Sequence, residues 1–238
     1  MPDHAILTAD AHRDLRVRPG RSAAAGDAVM CAIVVPDEFR QVQNEYPILF
    51  RRNLEHDSFA AFAMFGFENG ENLFLDGDRW AARTLPLSVA IQPFLVGRPE
   101  GAESATRQVH IDLASPRLGN EGVRLFEEDG QPTPYLETVI EKLGALDAGY
   151  QASADFFAAL RRYELLEPFA LEVPLVDGSV HRMIGFHVID EARLRALDQV
   201  ALADLHQAGH LMPIFMALAS LANIGALVAR KNQRLRHG

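Results

Sequence analysis

The triplet His110-Ile111-Asp112 sets an imidazole and a carboxylate two residues apart, which on a strand puts both on one face. That pair is two thirds of the facial triad that holds iron in non-haem oxygenases, and His181 or His187 downstream is the candidate third ligand. A metal centre needs all three to converge. The plainer use of His110 is as a surface or structural histidine. His206 and His210 are spaced four apart, as in metal-binding helices, but Gly209 between them predicts a helix end, which His206 would tie to its neighbour. Ser115 precedes Pro116 and lacks the strand–turn–helix setting of a nucleophile. Cys31 lies in an apolar run and reads as an inert core thiol.

Four other residues suit recognition. Arg117 offers a planar fork that grips a carboxylate or phosphate in two parallel bonds. Asn72 gives and accepts hydrogen bonds at once, which fits a peptide backbone. Tyr46 and Trp80 supply rigid aromatic area at low entropic cost. Their alternative is structural: loop polar groups that satisfy backbone, and rings that pack. No spacing assigns a catalytic residue, and no cofactor is expected.

These side chains sit in a chain of 238 residues with 23 Lys and Arg against 32 Asp and Glu, a formal charge of −9. The acidic balance excludes non-specific nucleic-acid binding. One cysteine excludes an internal disulfide framework and any cysteine-based zinc or iron–sulfur site. Asp3, Asp10, Arg13, Asp14 and Arg16 interrupt every apolar run near the N-terminus, so no export signal is read and the cytoplasm is the expected compartment. No P-loop, dinucleotide fingerprint or nucleophile elbow occurs. Leu211 to Ala229 carries no charged side chain and is followed by Arg230, Lys231, Arg234 and Arg236. Its length is that of a membrane span, but Pro213, Ser220, Asn223, Gly225 and many alanines favour a buried core helix, with membrane attachment as the alternative.

The elements that must position these groups come in two textures. Apolar runs at Val29 to Val35, Tyr46 to Phe50, Phe59 to Phe67, Leu73 to Leu75 and Gln108 to Leu113 predict strands. Trp80 to Leu87 and Phe94 to Val96 are weaker candidates. From Leu136 to Leu160 apolar residues recur at helical spacing, among them Ile140, Tyr150 and Phe157, and Pro168 is the expected stop. Ala170 to Val176 and Val180 to Val188 flank Asp177-Gly178, a hairpin signal. Asp190 is a predicted N-cap. The fold class is therefore α+β, a single domain of mainly antiparallel sheet covered by C-terminal helices, with residues 1–28 as an N-terminal arm and loop and 29–238 as the domain.

The ordered set Val35-Pro36, Tyr46-Pro47-Ile48, Gly70-Glu71-Asn72-Leu73-Phe74, Trp80, Ser115-Pro116-Arg117-Leu118, Leu166-Glu167-Pro168-Phe169, Ile189-Asp190-Glu191 and Ser220-Leu221 with Asn223 resembles the SapC family of bacterial proteins, over Leu15 to Arg230. The resemblance implies an accessory protein around nutrient uptake or peptide modification, with a cupin-like oxygenase or halogenase-like enzyme as partner, and no attached enzymatic activity. The expected function is thus a non-catalytic cytoplasmic binding protein for a peptide or protein. The alternatives are an iron-dependent enzyme through His110, Asp112 and His187, and a peripheral membrane or surface-layer-associated protein.

Overall fold

The computed structural model describes residues 3–53, 58–97 and 108–237. In chain order the elements are β1 (His4–Ile6), α1 (Ala9–His12), β2 (Arg16–Val17), β3 (Cys31–Val34), a 3-10 turn at Pro36–Glu38, α2 (Phe39–Val42), β4 (Ile48–Asn53) and β5 (Ser58–Met64). Then follow β6 (Leu75–Asp76), β7 (Arg79–Trp80), α3 (Leu87–Ala90), β8 (Phe94–Gly97), β9 (Gln108–Asp112), β10 (Leu118–Gly119), β11 (Val123–Arg124) and the long α4 (Pro134–Arg162). The hairpin β12 (Leu166–Pro174) and β13 (Val180–Ile189) precedes α5 (Glu191–Arg195), α6 (Gln199–Gln207), α7 (Leu211–Ser220) and α8 (Asn223–His237). The mix of antiparallel sheets and helices is α+β, as the texture of the sequence implied.

The chain forms two compact units. The first comprises Met1–Ala28, Leu75–Ala81 and Leu87–Ala148. The stretch read as an arm and loop carries three short elements here. β1 pairs with β9, and β2 lies between β10 and β11. Val17, Phe94, Ile111, Leu125, Leu136, Val139 and Leu143 form the core of this unit. Ile111 is buried because β9 alternates: Val109 and Ile111 pack into this core while His110 and Asp112 share the other face.

The second unit comprises Val29–Phe74, Ala82–Pro86 and Gly149–Gly238. Its centre is a five-stranded antiparallel sheet in the order β12-β13-β4-β5-β3. Val34, Ala61 and Phe50 are in direct register, as are Phe50 and His187, so these side chains share one face. The second half of α4 packs on that face, with Phe156 and Phe157 edge-on to each other and to Phe39 and Phe50 respectively. The hairpin turns at Gly178, whose positive φ of 85° explains the Asp-Gly pair. α5 begins at the expected cap, where Asp190 accepts a hydrogen bond from the Arg193 amide at 2.8 Å.

Three expectations are corrected. α4 ends at Arg162, and Pro168 lies in β12, at the edge of the sheet, where a missing N–H is tolerated. The buried line of α4 runs through Leu136, Val139, Leu143, Gly149, Ser153, Phe156 and Leu160, leaving Ile140 40% and Tyr150 60% exposed. The apolar segment after Leu211 is not a buried core helix. It is long and apolar enough to cross a membrane by length and composition, yet only 22% of its most apolar window is buried. It is two helices joined by a tight turn at Leu221 and Ala222, with Ile214, Ala217, Ser220 and Leu227 turned inward.

Candidate functional site

Tyr46, Asn72 and Arg117, read as ligand contacts, are buried and engaged by the fold. Tyr46 is fully buried against Phe65 and Phe74, and its hydroxyl donates to the Thr84 carbonyl at 2.5 Å. Asn72 is buried; its Oδ1 accepts from the Phe74 amide at 2.9 Å, and its carbonyl accepts from Arg234 at 2.8 Å. Phe74 thus brings Tyr46 and Asn72 together in the second unit. Arg117 is buried in the first unit, where it donates to Asp27 and to the Gly20 carbonyl at 2.7 Å. Arg21 also reaches Asp27 and donates to the Val89 and Ala90 carbonyls. Burial and the neighbouring Arg117 pull the Arg21 pKa below its ordinary value, with Asp27 opposing. The fork that suits a bound anion holds the protein's own loops. Trp80, half-buried, also belongs to the first unit, in the two-residue ladder of β6 and β7.

The histidine–aspartate pair has different surroundings. His110 leans over Gly97, where an added Cβ would lie 2.0 Å from its Nε2. That nitrogen is buried without a partner among the described residues. Asp112 accepts from the Asp3 and Ala114 amides at 3.2 and 3.1 Å, so it fixes a turn. His187 lies in the second unit with its ring edge-on to Phe59. Burial, and to a lesser extent Arg52, lowers its pKa. Among the described residues no three His, Cys, Asp or Glu side chains are placed to hold a metal ion.

What the second unit does offer is a trough along α4. Gly149 lets the helix approach the sheet edge: a Cβ there would meet the Val35 Cγ2 at 2.6 Å. Beyond it, Ala154 and Ser153 on the helix and Ala60 and Ala61 on β5 leave space, and Phe59, Phe157, Tyr150 and Arg161 frame it. The cleft is about 280 Å³, at the small end of ligand pockets. It holds apolar side chains better than a whole cofactor. A second cleft of about 340 Å³ adjoins it at Ser153, lined by Phe156, His210, Met212, Pro213 and Met216, with Asp37 and Arg40 at the rim. Methionines adapt to varied apolar partners, and Asp37 and Arg40 put one charge of each sign at the rim. Burial raises the pKa of Cys31, on the edge strand, which keeps it a thiol at neutral pH.

The sequence pattern concealed this trough because its walls are small residues on two elements far apart in the chain. The available signal was Tyr150, a large ring within the small-residue run Gly149-Tyr150-Gln151-Ala152-Ser153-Ala154.

An α+β chain with a five-stranded antiparallel sheet and this helical cover is the class defined here. The family model that matches it is SapC, over residues 7–227. The chain belongs to the SapC family. No curated protein and no solved structure matches it.

Proposed function

We propose that this SapC-family protein is a non-catalytic cytoplasmic binding protein that holds an extended peptide or a protein segment in the trough beside α4. The observation that carries the reading is the pair of clefts that share Ser153, one offering Val34, Ala60, Ala61 and Phe157, the other Phe156, Met212 and Met216, with Arg161, Asp37 and Arg40 as the charged residues of their linings. A segment laid there buries alternate side chains in the two clefts, and Tyr150, 60% exposed, provides a rigid wall at low entropic cost. The family resemblance suggests the partner class: a peptide- or protein-modifying enzyme such as a cupin-like oxygenase or a halogenase-like protein, or its substrate.

The test is photo-crosslinking in the native host with a benzophenone amino acid at Tyr150. One dominant adduct is expected, abolished when Ala154→Trp fills the cleft and retained in Ala154→Ser. The same adducts from a benzophenone at exposed Glu128, or an adduct unaffected by Ala154→Trp, overturn the reading.

A further inference from the structure

The outward face of α7 and α8 carries a second pattern, which shares only Met212 with the clefts beside α4. Met212, Phe215, Ala219, Ala222, Ala226 and Ala229 are all exposed, and their spacing is 3, 4, 3, 4, 3. That is the a/d seam of a heptad repeat, sustained for about two and a half heptads. It continues through the tight turn at Leu221 and Ala222. Met212 and Phe215 are more than half exposed, at 52% and 53%, an unusual state for two large apolar side chains one turn apart.

We infer that this seam is the interface of an antiparallel dimer formed with a second copy of the chain. The large residues occupy one end of the seam and four alanines the rest. A two-fold axis passing between Ser220 and Leu221 sets Met212 against the partner's Ala229 and Phe215 against the partner's Ala226. The same axis sets Ala219 against the partner's Ala222. Each a position then meets a d position, each bulky side chain meets a small one, and the pairing is isologous. A parallel pair would oppose Phe215 to Phe215 and leave four alanine layers underfilled.

Charge points the same way. The segment from Leu211 to Arg236 contains no acid, and exposed Arg234 and Arg236 lie at its far end. Parallel copies would bring those ends together. Antiparallel copies carry them to opposite ends of the pair. A lipid surface fits less well, because alanine contributes little to insertion and four of the six seam positions are alanine. The stretch that pairs, Leu211 to Arg230, is about 30 Å long and about 10 Å wide, roughly 300 Å² of footprint per copy. That is below the range of stable interfaces and corresponds to a weak, reversible dimer.

Sedimentation equilibrium on the purified chain up to about 100 μM tests it. A monomer–dimer equilibrium is expected, weakened about a hundredfold by Ala222→Glu, which places an unpaired charge at the axis, with the thermal midpoint of the monomer unchanged. Orientation is read in a Cys31→Ala background: Phe215→Cys mixed with Ala226→Cys gives a disulfide-linked dimer, while neither alone does. A monomer at every concentration overturns the proposal, and so does crosslinking of Phe215→Cys to itself. Monomers that co-float with vesicles of anionic phospholipid assign the face to a membrane instead. Phe215, Ala222 and Ala226 lie outside the trough, so loss of dimerisation leaves the Tyr150 crosslink unaffected, and the two readings fail separately.

Discussion

Arg117 and Asp27 form a buried ion pair whose side chains are 2% and 3% exposed. The pair is embedded rather than isolated: the Ser22 amide donates to the same carboxylate at 2.9 Å, and Arg117 also serves the Gly20 carbonyl. One carboxylate therefore organises residues 18–27 against the loop before β10.

Removing one member of such a pair leaves the other charge buried and uncompensated, which costs about 3–5 kcal/mol. Asp27→Asn is expected to fall at the upper end, because Arg21 and Arg117 then face each other without an anion. Arg117→Lys does nearly as badly, since an ammonium cannot reach Asp27 and Gly20 in the same planar geometry. Thermal denaturation of both variants checks this. Midpoints within about 2 °C of the parent would remove the pair from the stability of the fold.

Much of the fold was legible. The strands at Ile48, Ser58 and Gln108, the Asp177-Gly178 hairpin and the Asp190 cap follow local rules that do not depend on distant partners. The elements that were missed, β1, β2, β10 and β11 at two or three residues and α1 and α3 at four, are too short for any periodicity to show. Pro168 misled because a proline ends a helix and tolerates a sheet edge equally well, and only the pairing of β12 decides. The candidate site was legible in chemistry but not in place. Arg117 and Asn72 do grip carbonyls, carboxylate and backbone as their groups suggest, but those partners belong to the protein itself. Spacing along the chain cannot reveal that Asp27 lies beside Arg117, 90 residues away.

Ser220 links the helical layer to the sheet. Its Oγ accepts from the Ile48 amide at 2.9 Å and donates to the Ala217 carbonyl at 2.6 Å. Ser220→Ala strands a buried backbone N–H and is expected to cost about 1–3 kcal/mol. Amide exchange at Ile48 should accelerate more than at Leu49. An unchanged Ile48 protection factor would show that another acceptor takes over.

Two glycines of α4 give an internal comparison. Alanine has a helix advantage over glycine of about 1 kcal/mol, and nothing lies within 4 Å of a Cβ built on Gly144. Gly144→Ala should therefore stabilise the protein. At Gly149 the new Cβ meets buried Val35 at 2.6 Å, and overpacking costs about 1–3 kcal/mol, so Gly149→Ala should destabilise it. Equal shifts of the same sign in urea denaturation would contradict the close approach that shapes the trough.

Lys231 gives the second unit a defined pH window. It is buried, and its Nζ donates to Glu68 and Glu71 at 2.6 Å each. Burial alone would lower its pKa, but the two carboxylates outweigh it and raise the value above the ordinary 10.5. A raised pKa contributes stability that is complete below 10.5 and fades only as pH rises through the folded value. The hydrogen bond from Lys231 holds Glu68 below its ordinary 4.5. That contribution is complete above 4.5 and fades as pH falls through the folded value. The cluster thus supports the fold across the neutral range and fails at both extremes. Lys231→Met leaves two carboxylates side by side without a cation, Glu71 only 12% exposed. The gap in thermal midpoint between the parent and Lys231→Met should be widest near pH 7 and narrow as pH falls below 4.5 through the folded value of Glu68. A gap that stays constant from pH 3 to pH 10 would mean that Lys231 acts through packing of its stem and not through its charge.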